Sequence, residues 1–114
     1  MSCFMLKPNG EIRKVSPQNG SCFSLKELQG MVEGIIEIFP IYKNVGPIVI
    51  IGTNVEKMIM EKTDGYIMVI NEEGKIKTPE LNHVATRLAE CTESILPGDW
   101  ITGNVLVCPS KMVK

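Results

Sequence analysis

Apolar residues fall in short runs along most of this chain and switch to helical spacing in two places. Cys3 to Leu6 reads as a first strand, Lys7-Pro8-Asn9-Gly10 as a turn and Glu11 to Val15 as a half-exposed return strand, which together predict a β-hairpin. A loop follows from Ser16 to Ser21. Ser24-Leu25-Lys26-Glu27 is a capping box, and Phe23 and Leu28 stand where a hydrophobic staple needs them. Leu25, Leu28 and Val32 share one helical face, with Gly34 offering a left-handed stop. Ile35 to Phe39 predicts a buried strand ended by Pro40.

Ile48 to Ile51 is a β-branched run between Gly46-Pro47 and Gly52, hence a strand, while Val55 to Lys62 is open to strand or helix. Gly65 to Leu88 is the most legible stretch. A Tyr66–Ile70 strand meets the polar turn Asn71-Glu72-Glu73-Gly74, and Lys75 to Lys77 reads as a short return strand. Thr78 then serves as N-cap and Pro79 as first residue of a second helix, reaching Glu90. Leu81, Val84, Ala85, Leu88 and Ala89 form its apolar stripe, leaving Asn82, His83, Thr86, Arg87 and Glu90 on the other side. Asp99 to Cys108 reads as a closing strand, with Gly103 marking a bulge or a close backbone approach. The pattern predicts one α+β domain over residues 1–114: a mainly antiparallel sheet with two helices packed on one face.

Composition narrows the function classes. The chain has 114 residues, 44% of them apolar and 22% charged, which suits a folded protein with a modest core. Twelve Lys and Arg face thirteen Asp and Glu, so neither general nucleic-acid binding nor nucleic-acid mimicry is expected. The four cysteines (Cys3, Cys22, Cys91, Cys108) are widely spaced and His83 is the lone histidine, so neither a metal site nor a cofactor is expected. No apolar run reaches the ~18 residues of a membrane span, and no secretory signal is evident. The expected location is the cytosol, with reduced thiols.

Candidate chemistry is thin, and each candidate has a plain alternative. Glu72 and Glu73 can act as acid and base, with His83 as partner, but a turn carrying two solvated glutamates needs no such purpose. Asn82 and Arg87 can grip a phosphate or a base edge, or simply face solvent. Cys91 and Cys108 lack a local feature that would activate a thiol. Trp100 suits stacking on a base, or core packing. The methionines Met58, Met60 and Met68 suit an adaptable surface, or core filling.

Several stretches, in their order, resemble a family of bacteriophages and bacterial mobile elements, domain of unknown function 3846. They are the Pro turn Lys7–Gly10, the helix and strand from Leu25 to Glu37, Asn71–Gly74, Pro79-Glu80-Leu81-Asn82, and the Gly-containing apolar strand Asp99–Val107. Residues 41–64 look like an insertion relative to that family. The resemblance implies a phage or mobile-element host and no assigned reaction. By analogy with phage counter-defence proteins, the expectation is a non-enzymatic protein, acting as a homodimer, that sequesters a small nucleotide-like signal. Its ligand residues are then Asn71, Glu72, Gly74, Asn82, Arg87, Trp100 and Gly103. Two alternatives stand beside it: a module binding a host defence protein, and a small hydrolase using Glu72, Glu73 and His83.

Overall fold

A computed structural model describes residues 2–113. Its principal sheet has five strands in the order β2-β1-β7-β6-β3, every neighbouring pair antiparallel. These strands are β1 (Cys3–Leu6), β2 (Ile12–Val15), β3 (Ile36–Ile41), β6 (Tyr66–Asn71) and β7 (Val105–Pro109). A separate two-stranded ribbon, β4 (Ile48–Ile51) with β5 (Lys57–Met60), rises from the connection between β3 and β6. Three helical elements complete the chain before a closing 3-10 turn: α1 (Leu25–Val32), the single-turn α2 (Gly74–Lys77) and α3 (His83–Cys91). The α+β class and the mainly antiparallel sheet are as the pattern predicts.

Alternation along β7 divides the core in two. Val105 and Val107 pack with Phe4, Leu6, Met68 and with Ala85, Leu88 and Ala89 of α3. Leu106 and Cys108 pack with Cys3, Ile67, Val69 and with Leu28 and Val32 of α1. Successive side chains of a strand point to opposite faces. The two helices therefore lie on opposite sides of the sheet, not together on one face. The β4–β5 ribbon shares the α3 side, where it adds Met58 and Met60, and the central strands are consequently apolar on both faces.

Several element boundaries differ from the sequence expectation, each for a packing reason. The capping box at Ser24 and Glu27 forms, and Phe23 and Leu28 are both buried. Leu25, however, is 57% exposed and takes no part in the buried face. The left-handed residue ending α1 is Glu33 (φ 64°), not Gly34. Gly34 is needed for close approach instead: a Cβ there would lie 2.7 Å from Asn71 Nδ2. β3 runs through Pro40, which pairs opposite Ile67. That is tolerable because β3 is an edge strand and a proline's missing donor can face outward.

The return strand expected at Lys75–Lys77 is the helical turn α2. β6 already has β7 on one side and β3 on the other, so no free edge remains for a hairpin partner. The second helix begins at His83 rather than Pro79. Residues 80–82 are held extended against the chain before β7: Leu81 bridges Thr102, Asn82 N donates to Ile101 O (2.9 Å), and Gly103 N to Glu80 O (2.9 Å). The same contacts delay the closing strand to Val105. Of the two readings of Val55–Lys62, the strand is realised.

Candidate functional site

A cleft of about 390 Å³ lies where β3 and β6 run into α2 and the segment before β7. Glu37 and Phe39 of β3 line it together with Asn71 at the end of β6, Glu72 and Glu73 just beyond, Lys75 and Ile76 of α2, and Asp99 and Trp100. Local chemistry explains this placement. Asn71 Oδ1 accepts from Glu73 N (2.8 Å), turning the chain out of β6, and Thr78 N donates to Gly74 O (2.9 Å), closing the single turn of α2. Gly74 sits against Thr102, where a Cβ would approach Thr102 Oγ1 to 2.8 Å.

Lys75 organises the floor. Its ammonium pairs with the Asp99 carboxylate and stands 4.1 Å from the centroid of the Trp100 ring. Such an arrangement combines an ion pair with a cation–π contact, each modest at an exposed site. Asp99 also accepts from Trp100 N (2.8 Å), and Lys75 together with that amide holds its carboxyl below the usual range. Trp100 remains 46% exposed, so a large aromatic surface is open to a ligand. Glu37, Glu72 and Glu73 are exposed around it. Four carboxylates thus face a single ammonium, already engaged.

The residues expected from sequence separate into groups. Asn71, Glu72, Gly74 and Trp100 do line this one cleft. Asn71 is nonetheless buried and its amide is occupied, Nδ2 donating to Val32 O (3.1 Å) and Glu33 O (3.3 Å) at the end of α1. Asn82 is no surface residue: it is fully buried as the N-cap of α3, with its amide donating to Leu6 O and Gly103 O. Gly103 (φ +73°) is buried and lies beside Thr78, whose Oγ1 a Cβ would approach to 2.5 Å, and its N–H is taken by Glu80. Arg87 and His83 are exposed on α3 and, unlike Glu72 and Glu73, are not among the residues that line the cleft. Met58, Met60 and Met68 fill the core.

The two buried thiols, Cys3 and Cys108, offer little nucleophilicity. Burial pushes Cys108 up to about 12 and raises Cys3 as well. Among the described residues no three His, Cys, Asp or Glu side chains gather as a metal-ligand group, and no helix is long and apolar enough to cross a membrane. Sequence reasoning missed Glu37, Phe39, Lys75 and Asp99. The Glu37/Phe39 alternation along β3 was a usable signal, whereas Lys75 and Asp99 stand 24 residues apart and meet only through the fold. No family model, curated protein or solved structure matches this chain.

Proposed function

We propose that the protein is a non-enzymatic binding module whose cleft takes an extended, basic segment of a partner protein. The observation that carries this reading is the carboxylate-rimmed cleft around exposed Trp100, set beside a free strand edge. A nucleotide phosphate brought here would meet Glu37, Glu72, Glu73 and Asp99, with Lys75 already paired and Arg87 elsewhere. A lysine or arginine side chain meets favourable charge and an aromatic face. The charge pattern thus favours the protein-partner alternative over nucleotide sequestration, and the phage resemblance makes a host factor the natural candidate.

The two edges of the sheet differ in a way that supports this. At the β2 edge the backbone groups are covered: Asn54 Oδ1 accepts from Ile12 N (3.3 Å), Asn54 Nδ2 donates to Ile12 O (2.9 Å), and Glu56 accepts from Lys14 N (3.2 Å). At the β3 edge the ladder phase is set by Glu72 N donating to Ile35 O (2.8 Å), which leaves Ile36 and Ile38 pointing their N–H and C=O outward. An added strand there gains main-chain hydrogen bonds, and alternate side chains reach over Glu37 and Phe39 toward Trp100. Pro40 limits the ladder to the half beside the cleft.

Trp100 is the sole tryptophan, so its fluorescence reports directly on the site. Titration with a peptide of alternating lysine and valine should perturb it, with affinity falling as salt rises. A peptide of alternating glutamate and valine should do nothing. Glu37→Lys should weaken binding of the basic peptide roughly tenfold. Binding of cyclic nucleotides in preference to the basic peptide would overturn the reading.

A further inference from the structure

The β4–β5 ribbon turns Ile48, Ile50, Met58 and Met60 toward the core, while Val49 (58% exposed), Ile51 (74%) and Ile59 (44%) project outward. Val49 and Ile59 are register partners, so with Ile51 they form one apolar strip. Single exposed apolar side chains are ordinary, but a contiguous strip on a sheet face marks a contact surface. Lys57 and Glu61 flank Ile59 two residues to either side, both exposed and in phase with it. At ~3.3 Å rise per residue each stands roughly 7 Å along the strand from Ile59.

We propose that this face is the interface of a homodimer, and that its occupant is the same face of a second copy. A two-fold axis between two such ribbons, perpendicular to the strands at the level of Ile59, stacks each β5 antiparallel on the other. Ile59 then meets Ile59, Val49 meets Val49, and each Lys57 faces a Glu61 of the other copy. A two-fold axis parallel to the strands leaves them parallel, with Lys57 level with Lys57 and Glu61 with Glu61. Charge selects the first arrangement. The order Lys57, Ile59, Glu61 is therefore self-complementary, which the same face docking on an unrelated protein does not require. Val49, Ile51, Ile59, Lys57 and Glu61 are far fewer than the roughly 20–30 residues a side of a standard interface, so the dimer is weak and exchanges with monomer. None of these residues lines the Trp100 cleft, and the two readings fail independently.

Sedimentation velocity of the full chain from micromolar to millimolar concentration tests this. The expected result is a mass rising toward the dimer. Ile59→Glu should remain monomeric throughout, with unchanged thermal unfolding because the side chain is outside the core. Lys57→Glu should weaken association roughly tenfold, and adding Glu61→Lys to it should restore the original strength. A wild type that stays monomeric across the range would overturn the proposal. So would a dimer indifferent to these changes, or a double variant no better than Lys57→Glu alone.

Discussion

The two longer helices begin in similar fashion and for different reasons. Ser24 Oγ accepts from Glu27 N (3.1 Å) at the start of α1, and Asn82 Oδ1 from Ala85 N (3.0 Å) at the start of α3. Ser24 is exposed and its reciprocal partner is three residues away, Glu27 Oε1 accepting from Ser24 N (3.0 Å). Asn82 is fully buried, and its Nδ2 donates to Leu6 O (3.0 Å) and Gly103 O (2.8 Å), carbonyls 76 and 21 residues distant. The first cap ends a helix. The second also ties the end of β1 and the approach to β7 to the start of α3. A cap made of local bonds contributes what the helix end requires, whereas a buried amide bonded across the fold fixes how three segments meet.

Breaking the long-range cap should have the largest effect. Asn82→Ala removes the acceptor for Ala85 N and both hydrogen bonds that the buried amide donates, to Leu6 O and Gly103 O. Cap loss costs about 1 kcal/mol, and each of the two lost hydrogen bonds of the buried amide adds about 1 kcal/mol, so a total near 3 kcal/mol is expected. The midpoint of urea unfolding measures it directly. Asn82→Asp keeps the cap oxygen but loses both donors and buries a carboxylate, so it should be no milder than the alanine variant. A cost for Asn82→Ala close to that of an ordinary exposed cap would remove the distinction between the two helix starts.

That same distinction decides how much was legible in the sequence. Ser24, Glu27, Phe23 and Leu28 lie within six residues, and the box and staple appear where the spacing puts them. The β1–β2 hairpin and the Tyr66 strand were likewise readable from local turn chemistry and β-branched runs. Local spacing makes Asn82 a polar helix-face residue because Thr78-Pro79 is a strong start signal. The bridge between Leu81 and Thr102 overrides that signal, and nothing local announces it. Lys75–Lys77 forms the α2 turn and not the strand its local sequence predicts for a related reason, since whether a strand can form depends on which neighbours β6 already has. In the cleft, Trp100 and the glutamates of the Asn71–Gly74 turn could be named, but not the ion pair that places Lys75 over the ring.

Removing the local cap should cost less. Ser24→Ala deletes one exposed acceptor and leaves Glu27 able to bond Ser24's former backbone position. A loss of about 1 kcal/mol is expected, within the usual range for N-cap serine. Equilibrium urea unfolding of this variant beside Asn82→Ala gives the ratio on which the comparison rests. A Ser24→Ala cost equal to or above that of Asn82→Ala would show that the buried amide adds nothing beyond its cap.

The smallest expected effect separates the two starts by pH. Glu27 accepts from Ser24 N and from Gln18 N (2.9 Å), and these backbone bonds, Ser24 first, hold its carboxyl below the ordinary glutamate value. The unfolded chain, with its glutamate near the usual ~4.3, therefore binds the proton more readily than the folded one. By linkage, the stabilisation is present above the unfolded value and is lost as pH falls through the depressed folded value. Glu27→Gln should accordingly be less stable than wild type near neutrality, and the two unfolding curves should converge in acid. The corresponding third residue of α3 is Ala85, which does not titrate, so Asn82→Ala should show no matching convergence over this pH range. A gap between Glu27→Gln and wild type that persists unchanged into acid would mean that the box acts through shape and not through charge.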